Sequence, residues 1–189
     1  MTPIEIWSKI SEHQIAGIMM HAQMADYFDF LGLMGFKREQ EYHYFVESAA
    51  MRGVHRYCIN HHNKLITGGH PVNPSIIPAM WNNYTRFDVD TNTRKKSIIE
   101  AFEKWKSWEK ETKNFYCNMF TECTNQGYVA DANKINKLIR DVDHELKCLE
   151  RRIIELRAVD YDAVYIMEIQ NCLHEYYKEK TKEIGVNIC

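Results

Sequence analysis

Gly68-Gly-His-Pro71-Val-Asn-Pro74-Ser-Ile-Ile-Pro78 divides the chain into two helical halves. Three of the four prolines and two adjoining glycines fall in this one stretch, where proline's missing donor and fixed φ forbid a continuous helix. Before it, apolar residues recur every three or four positions over about 3–32 and 37–67, broken by Gly32-Leu-Met-Gly35. After it, the same period runs over about 93–125 and 131–158, with Asn125-Gln-Gly127 as the break and Asp131 as an expected N-cap. A shorter fifth helix is expected over about 160–184. Each short break suits a pair of antiparallel neighbours, whereas the central connection, about 25 residues, is long enough to cross the length of a bundle. The chain therefore reads as all-α, a four-helix bundle of two hairpins joined by a long crossover and followed by a fifth helix. Ile76-Ile77 and Tyr84–Val89 are the only strand candidates, and both lie inside the connection.

Composition narrows the function. A chain of 189 residues with 45% apolar content can bury a core without disulfides or structural metal, so one domain is expected and any metal would be functional. Lys plus Arg number 24 against 26 Asp plus Glu, and this balance supplies no basic field for nucleic acid. No basic leader and no run of 18 apolar residues is present, which points to a cytoplasmic protein with no membrane partner. The six cysteines form no CxxC pair and read as reduced thiols, with Cys58 and Cys148 the two nearest the presumed core.

Misplaced polarity on the buried stripes carries the chemical signal. At about 100° per residue, the first helix turns Trp7, Ile10, Gln14, Gly17, His21, Met24 and Phe28 inward. The second turns in His43, Glu47, Met51, Val54, Cys58 and Leu65, and the third Ile98, Phe102, Trp105, Glu109, Thr112, Tyr116 and Met119. On the fourth, Ile135, Leu138, Val142, Leu146, Leu149, Ile153 and Leu156 form the stripe, with Glu145 at its edge. With the crossover topology, His21, Glu47, Glu109 and Glu145 lie about 12–15 residues from the same end of the bundle, in one layer to within a turn. Three carboxylates cannot be buried together as bare anions, so they must share protons, find hydrogen-bond partners or surround a cation.

These residues resemble those of the ferritin-like superfamily, most closely bacterial ferritins and bacterioferritins. Glu100-Ala-Phe-Glu-Lys-Trp-Lys-Ser-Trp-Glu109-Lys-Glu-Thr112 looks like the ferritin segment that carries the third-helix iron ligand, and Thr124-Asn-Gln-Gly-Tyr128 looks like the turn after it. The 36 residues from Glu109 to Glu145 fit the family spacing, and the likeness extends from about residue 10 to 158. The resemblance implies a ferritin-like bundle, iron as the metal with a di-iron centre as the fullest case, Fe(II) oxidation, and self-association into a homo-oligomer.

The chain departs from the usual pattern, in which two helices give a Glu and two give Glu-x-x-His. Gln14 stands at the usual first-ligand position, the second helix has Glu47-x-x-Ala50, and the fourth has Val142-x-x-Glu145. Asp141-Val-Asp-His144 looks like the missing motif, but His144 lies about 160° from the stripe centre and should face outward. His43, one turn before Glu47, offers a His-x-x-x-Glu pair in its place. The expected metal residues are therefore His21, Glu47, Glu109, Glu145 and His43. Carboxylates with one or two imidazoles suit iron, and manganese or zinc also fits. Two other readings stand beside iron binding. One is a metal-free structural or interaction module; the other is a di-metal oxygen-using enzyme on an organic substrate, with Gly17, Ala50 and Gly53 as the source of space.

Overall fold

The computed structural model describes residues 1–66 and 89–183. Five helices account for almost all of them: α1 (Pro3–Phe30), α2 (Met34–His62), α3 (Thr91–Asn125), α4 (Val129–Ala158) and α5 (Ala163–Glu183). The residues proposed as strand candidates, apart from Val89, lie outside the described residues, as does the proline-rich crossover.

Local chemistry sets the helix limits. Thr2 and Glu5 form a reciprocal capping box at the start of α1, with Pro3 in the first turn where its missing N–H costs nothing. At its end Gly32 takes φ +73°, and the amides of Gly32 and Leu33 reach back to Asp29 O and Phe28 O at 2.9 and 2.8 Å. Gly127 closes α3 the same way, with φ +75° and Tyr128 N donating to Cys123 O at 2.8 Å. These are the paired bonds of the Schellman motif, which needs a left-handed residue that glycine supplies without strain.

Two sequence expectations are corrected here. The second helix stops at His62 rather than near 67, because Asn63 takes the left-handed conformation at φ 50° and ends the ladder. Leu65, expected on its buried stripe, is consequently 69% exposed. Asp131 is not an N-cap: α4 starts at Val129, and the Asp131 side chain turns inward to accept from Trp7 Nε1 at 2.6 Å and to meet His62 Nε2 at 2.7 Å.

The same contacts orient the bundle. At one end, the start of α1 meets the end of α3 (Met1 amine to Glu122, 2.8 Å) and the start of α4 (Trp7 to Asp131), and the end of α2 also reaches Asp131. At the other end, Phe28 of α1, Phe36 of α2 and Phe102 of α3 pack with ring centres 5.1–5.8 Å apart, beside Leu156 near the end of α4. The end of α2 and the start of α3 thus lie at opposite ends, and α2 runs parallel to α3, as the crossover topology requires. α5 returns along α2, and the backbone of Gln170 lies directly against Gly35. Arg38 Nε donates to His174 Nδ1 at 3.0 Å, and the Tyr177 hydroxyl to Glu39 at 3.1 Å.

Two apolar clusters fill the bundle. One surrounds Phe28, Phe36, Phe102, Leu149 and Leu156, and the other Trp7, Ile10, Val54, Ile135 and Val142. Between them the stripes turn polar. His13 marks the flank of this region, sandwiched between Trp108 and Phe115 at ring-centre distances of 4.7 and 4.5 Å, with Nε2 2.8 Å from Thr112 Oγ1. Burial pushes its pKa down to about 4. The unfolded chain takes up this proton near pH 6.5 and the folded chain only near 4, so the contribution is complete above 6.5 and is lost as pH falls through that window. A His13→Gln variant should flatten the wild-type loss of stability between pH 7 and 4 by up to about 3 kcal/mol, read from urea midpoints at each pH.

Candidate metal centre

All four bundle helices contribute to the polar layer. His21 comes from α1 and is 2% exposed; its Nδ1 donates to Gln40 Oε1 of α2 at 2.8 Å, which leaves Nε2 as the nitrogen with a free lone pair. Its ring stacks on His43 of α2 at 5.2 Å, and the rings of both histidines meet Trp105 of α3 edge-on, at 5.7 and 5.1 Å. His43 Nδ1 faces Glu145 Oε1 of α4 at 3.6 Å, an ion pair longer than a hydrogen bond. Glu109 of α3 is 3% exposed and accepts from Trp105 Nε1 at 3.0 Å. Glu47 of α2 is partly buried. His144 is exposed, one turn from Cys148.

Electrostatics tie these groups together. Burial pushes Glu109 up to about 8, with the charges of Glu145 and Glu47 adding to the effect. Burial and then Glu145 raise Glu47 to about 7. Burial alone would lower His43, but Glu145 more than offsets it, with help from Glu39 and Glu109, and the imidazole rises to about 9. Glu145 is pushed up by burial, yet the neighbouring His43 holds it below its ordinary value. Burial, reinforced by the charge on His43, lowers His21 to about 3. At neutral pH the layer thus contains an imidazolium–carboxylate pair, a neutral His21, a Glu109 carboxyl that tends to keep its proton and a Glu47 carboxyl about half ionised.

As the side chains are arranged, no three His, Cys, Asp or Glu among the described residues converge closely enough to enclose a metal ion. Several of the candidate donors are instead engaged with partners: His21 with Gln40, Glu109 with Trp105, and His43 with Glu145. The chemistry of the set nevertheless suits a divalent cation. The carboxyls of buried Glu109 and partly buried Glu47 are both raised, so each holds a proton more readily than usual that a cation could replace, and Gln14 Oε1, in a residue 2% exposed, has no hydrogen-bond partner among the described residues. Gln14 also bonds to Tyr116, whose hydroxyl is raised well above its ordinary value by burial and then by Glu47 and Glu109.

Sequence reasoning overlooked Gln40, although it lies one turn before His43 and is fully buried. Of the glycines expected to supply space, Gly17 is covered by Trp108, 3.6 Å from where a Cβ would lie, whereas Gly53 has open space beside it. A further cavity of about 920 Å³ between α2, α4 and α5 has His43 and Glu145 in its lining.

No protein-family model matches the chain, and no curated protein matches its sequence. Solved structures do match in fold. An engineered closed form of the Archaeoglobus fulgidus ferritin superposes with a TM-score of 0.76 at 16% identity, over 91% of this chain and 94% of the other. The open-pore ferritin from the same hyperthermophilic archaeon gives 0.75 at 16% identity over the same shares, and a humanized archaeal ferritin gives 0.74 at 15% identity, also over 91% and 94%. With five helices, no strand among the described residues, parallel α2 and α3, and these neighbours, the chain has the ferritin-like fold.

Proposed function

We propose that the chain is a ferritin-like iron-binding protein that takes up Fe(II) in the polar layer as a substrate for oxidation by dioxygen. One observation carries the reading: two carboxyls at the centre of the bundle, Glu47 and Glu109, are pushed up to about 7 and 8, so they stand ready to exchange a proton for a cation. A set of buried acids has no packing advantage over leucine, which argues for a role beyond structure. In this reading Glu47 and Glu109 bridge or terminate the site, Glu145 and His43 open their ion pair to bind, and His21 offers Nε2 while Gln40 fixes its ring. Trp105 holds Glu109 in place through its indole N–H. Iron supplies the redox chemistry; the chain supplies the oxygen and nitrogen donors, a water-poor setting and the groups that accept or release protons. We further propose self-association through exposed apolar side chains such as Met19 and Ile59, giving a homo-oligomer.

The test is metal content by mass spectrometry after anaerobic loading with Fe(II). Wild-type protein should retain about one to two irons per chain, and Glu47→Gln/Glu109→Gln should retain none. Because burial makes the charged form of both groups costly, the double variant should fold with an unchanged or raised urea midpoint. Absence of iron from the wild type would sink the reading and favour a metal-free interaction module.

A further inference from the structure

The cavity between α2, α4 and α5 has a polar rim beyond the metal layer. Glu39 of α2 is 6% exposed; Oε1 accepts from Tyr177, but Oε2 has no hydrogen-bond partner among the described residues. Arg152 of α4 pairs through Nε with Glu155 Oε2 at 3.5 Å, while its Nη1 makes no hydrogen bond among the described residues. Both residues line the cavity, and both act electrostatically on the Tyr177 hydroxyl that lies in the same wall. One acceptor, Glu39 Oε2, and one donor, Arg152 Nη1, are therefore without hydrogen-bond partners among the described residues, on two residues that line the same cavity.

The remaining lining decides the chemistry. Phe102, Trp105, Leu149, Ile169 and Leu173 make an apolar body that leads inward to His43 and Glu145. The rim carries Arg151 and Arg152 against Glu39, Glu155 and Glu168, so it has no surplus of positive charge to draw in a simple anion. A bare carboxylate would satisfy Arg152 but leave Glu39 unpaired and repelled. A bare amine would do the reverse. A volume of about 920 Å³ lies within the ~300–1,000 Å³ range of small-molecule sites.

We propose that this cavity binds a zwitterionic amphipath of the α-amino-acid type, with its carboxylate on Arg152, its ammonium on Glu39 and its apolar side chain against Trp105 and Leu173. One such ligand answers both the acid of Glu39 and the free donor of Arg152 and fills the apolar wall. Binding needs no iron, although the cavity reaches His43, Trp105 and Glu145 of the polar layer.

The probe is L-phenylalanine, with L-leucine beside it, titrated into the full chain without added Fe(II). Binding is followed by tryptophan fluorescence and by protection of Cys148 and Cys172, two exposed thiols in the cavity lining, mapped by peptide mass spectrometry after maleimide treatment. Saturable binding is expected, weakened about tenfold or more in Arg152→Gln and in Glu39→Gln, each of which removes one charge-assisted contact. 3-Phenylpropionate and 2-phenylethylamine, which each lack one charge, should bind correspondingly more weakly than phenylalanine. A Cys172→Trp variant should block binding by filling the space while leaving Arg152 and Glu39 in place. No saturable binding up to millimolar concentration would overturn the proposal, as would equal binding of phenylpropionate with Glu39→Gln unaffected. Iron content of the same preparation reports separately on the metal reading.

Discussion

Gly35→Ala is expected to detach α5 from the bundle. A Cβ at this position would overlap the carbonyl oxygen of Gln170 and lie 2.6 and 2.7 Å from its Cα and carbonyl carbon, all backbone atoms that no rotamer change can move. Relief requires α5 to shift as a body, which breaks the Arg38–His174 and Tyr177–Glu39 bonds and uncovers Leu173 and Ile166. Loss of these bonds and of two buried apolar side chains amounts to about 4–6 kcal/mol if the helix lets go entirely. Urea unfolding should show the loss, and hydrogen exchange should locate it: amides of Ala163–Glu183 should lose protection while those of α1 and α3 keep most of theirs. Wild-type protection across α5 in the variant would show that the two backbones can part at little cost.

Asp131→Ala should be the most damaging change at the opposite end of the bundle. The Asp131 side chain is almost wholly buried, and its Oδ1 lies 2.6 Å from Trp7 Nε1 and 2.7 Å from His62 Nε2, so three helices meet on one oxygen. Removing it leaves a buried indole donor and a partly buried imidazole without an acceptor and opens a cavity beside Trp7, a combination worth about 3–5 kcal/mol. Asp131→Asn, which keeps an oxygen in place, should lose less than half of that. Equal urea midpoints for the two variants would mean that volume alone, rather than the shared acceptor, holds this end.

The helices and the polar layer were legible because both rest on a period. Glu109 stands out on the third stripe between Trp105 and Thr112, and no arrangement of that helix can bury its neighbours without burying it. The placement of α5 was not legible: its apolar pattern says that one face is covered but not that the cover is α2, which depends on Gly35 lacking a side chain. Asp131 was misread for a related reason. An acidic residue near a helix start suits an N-cap, and only the arrival of Trp7 and His62 from distant sequence makes an inward turn worthwhile. Gln40 eludes the stripe argument because the buried stripe of the second helix extends one turn before His43, and the space that a glycine at 17 suggests is filled by Trp108.

The bundle is held together at its two ends and differs in character at its waist. Each apolar cluster draws on all four long helices, so neither depends on what lies between them. Substitutions at the waist that keep volume, such as glutamine for Glu109, therefore change chemistry with little penalty in folding. Such a molecule can exchange the polar groups at its waist while remaining the same object to a chaperone or a protease.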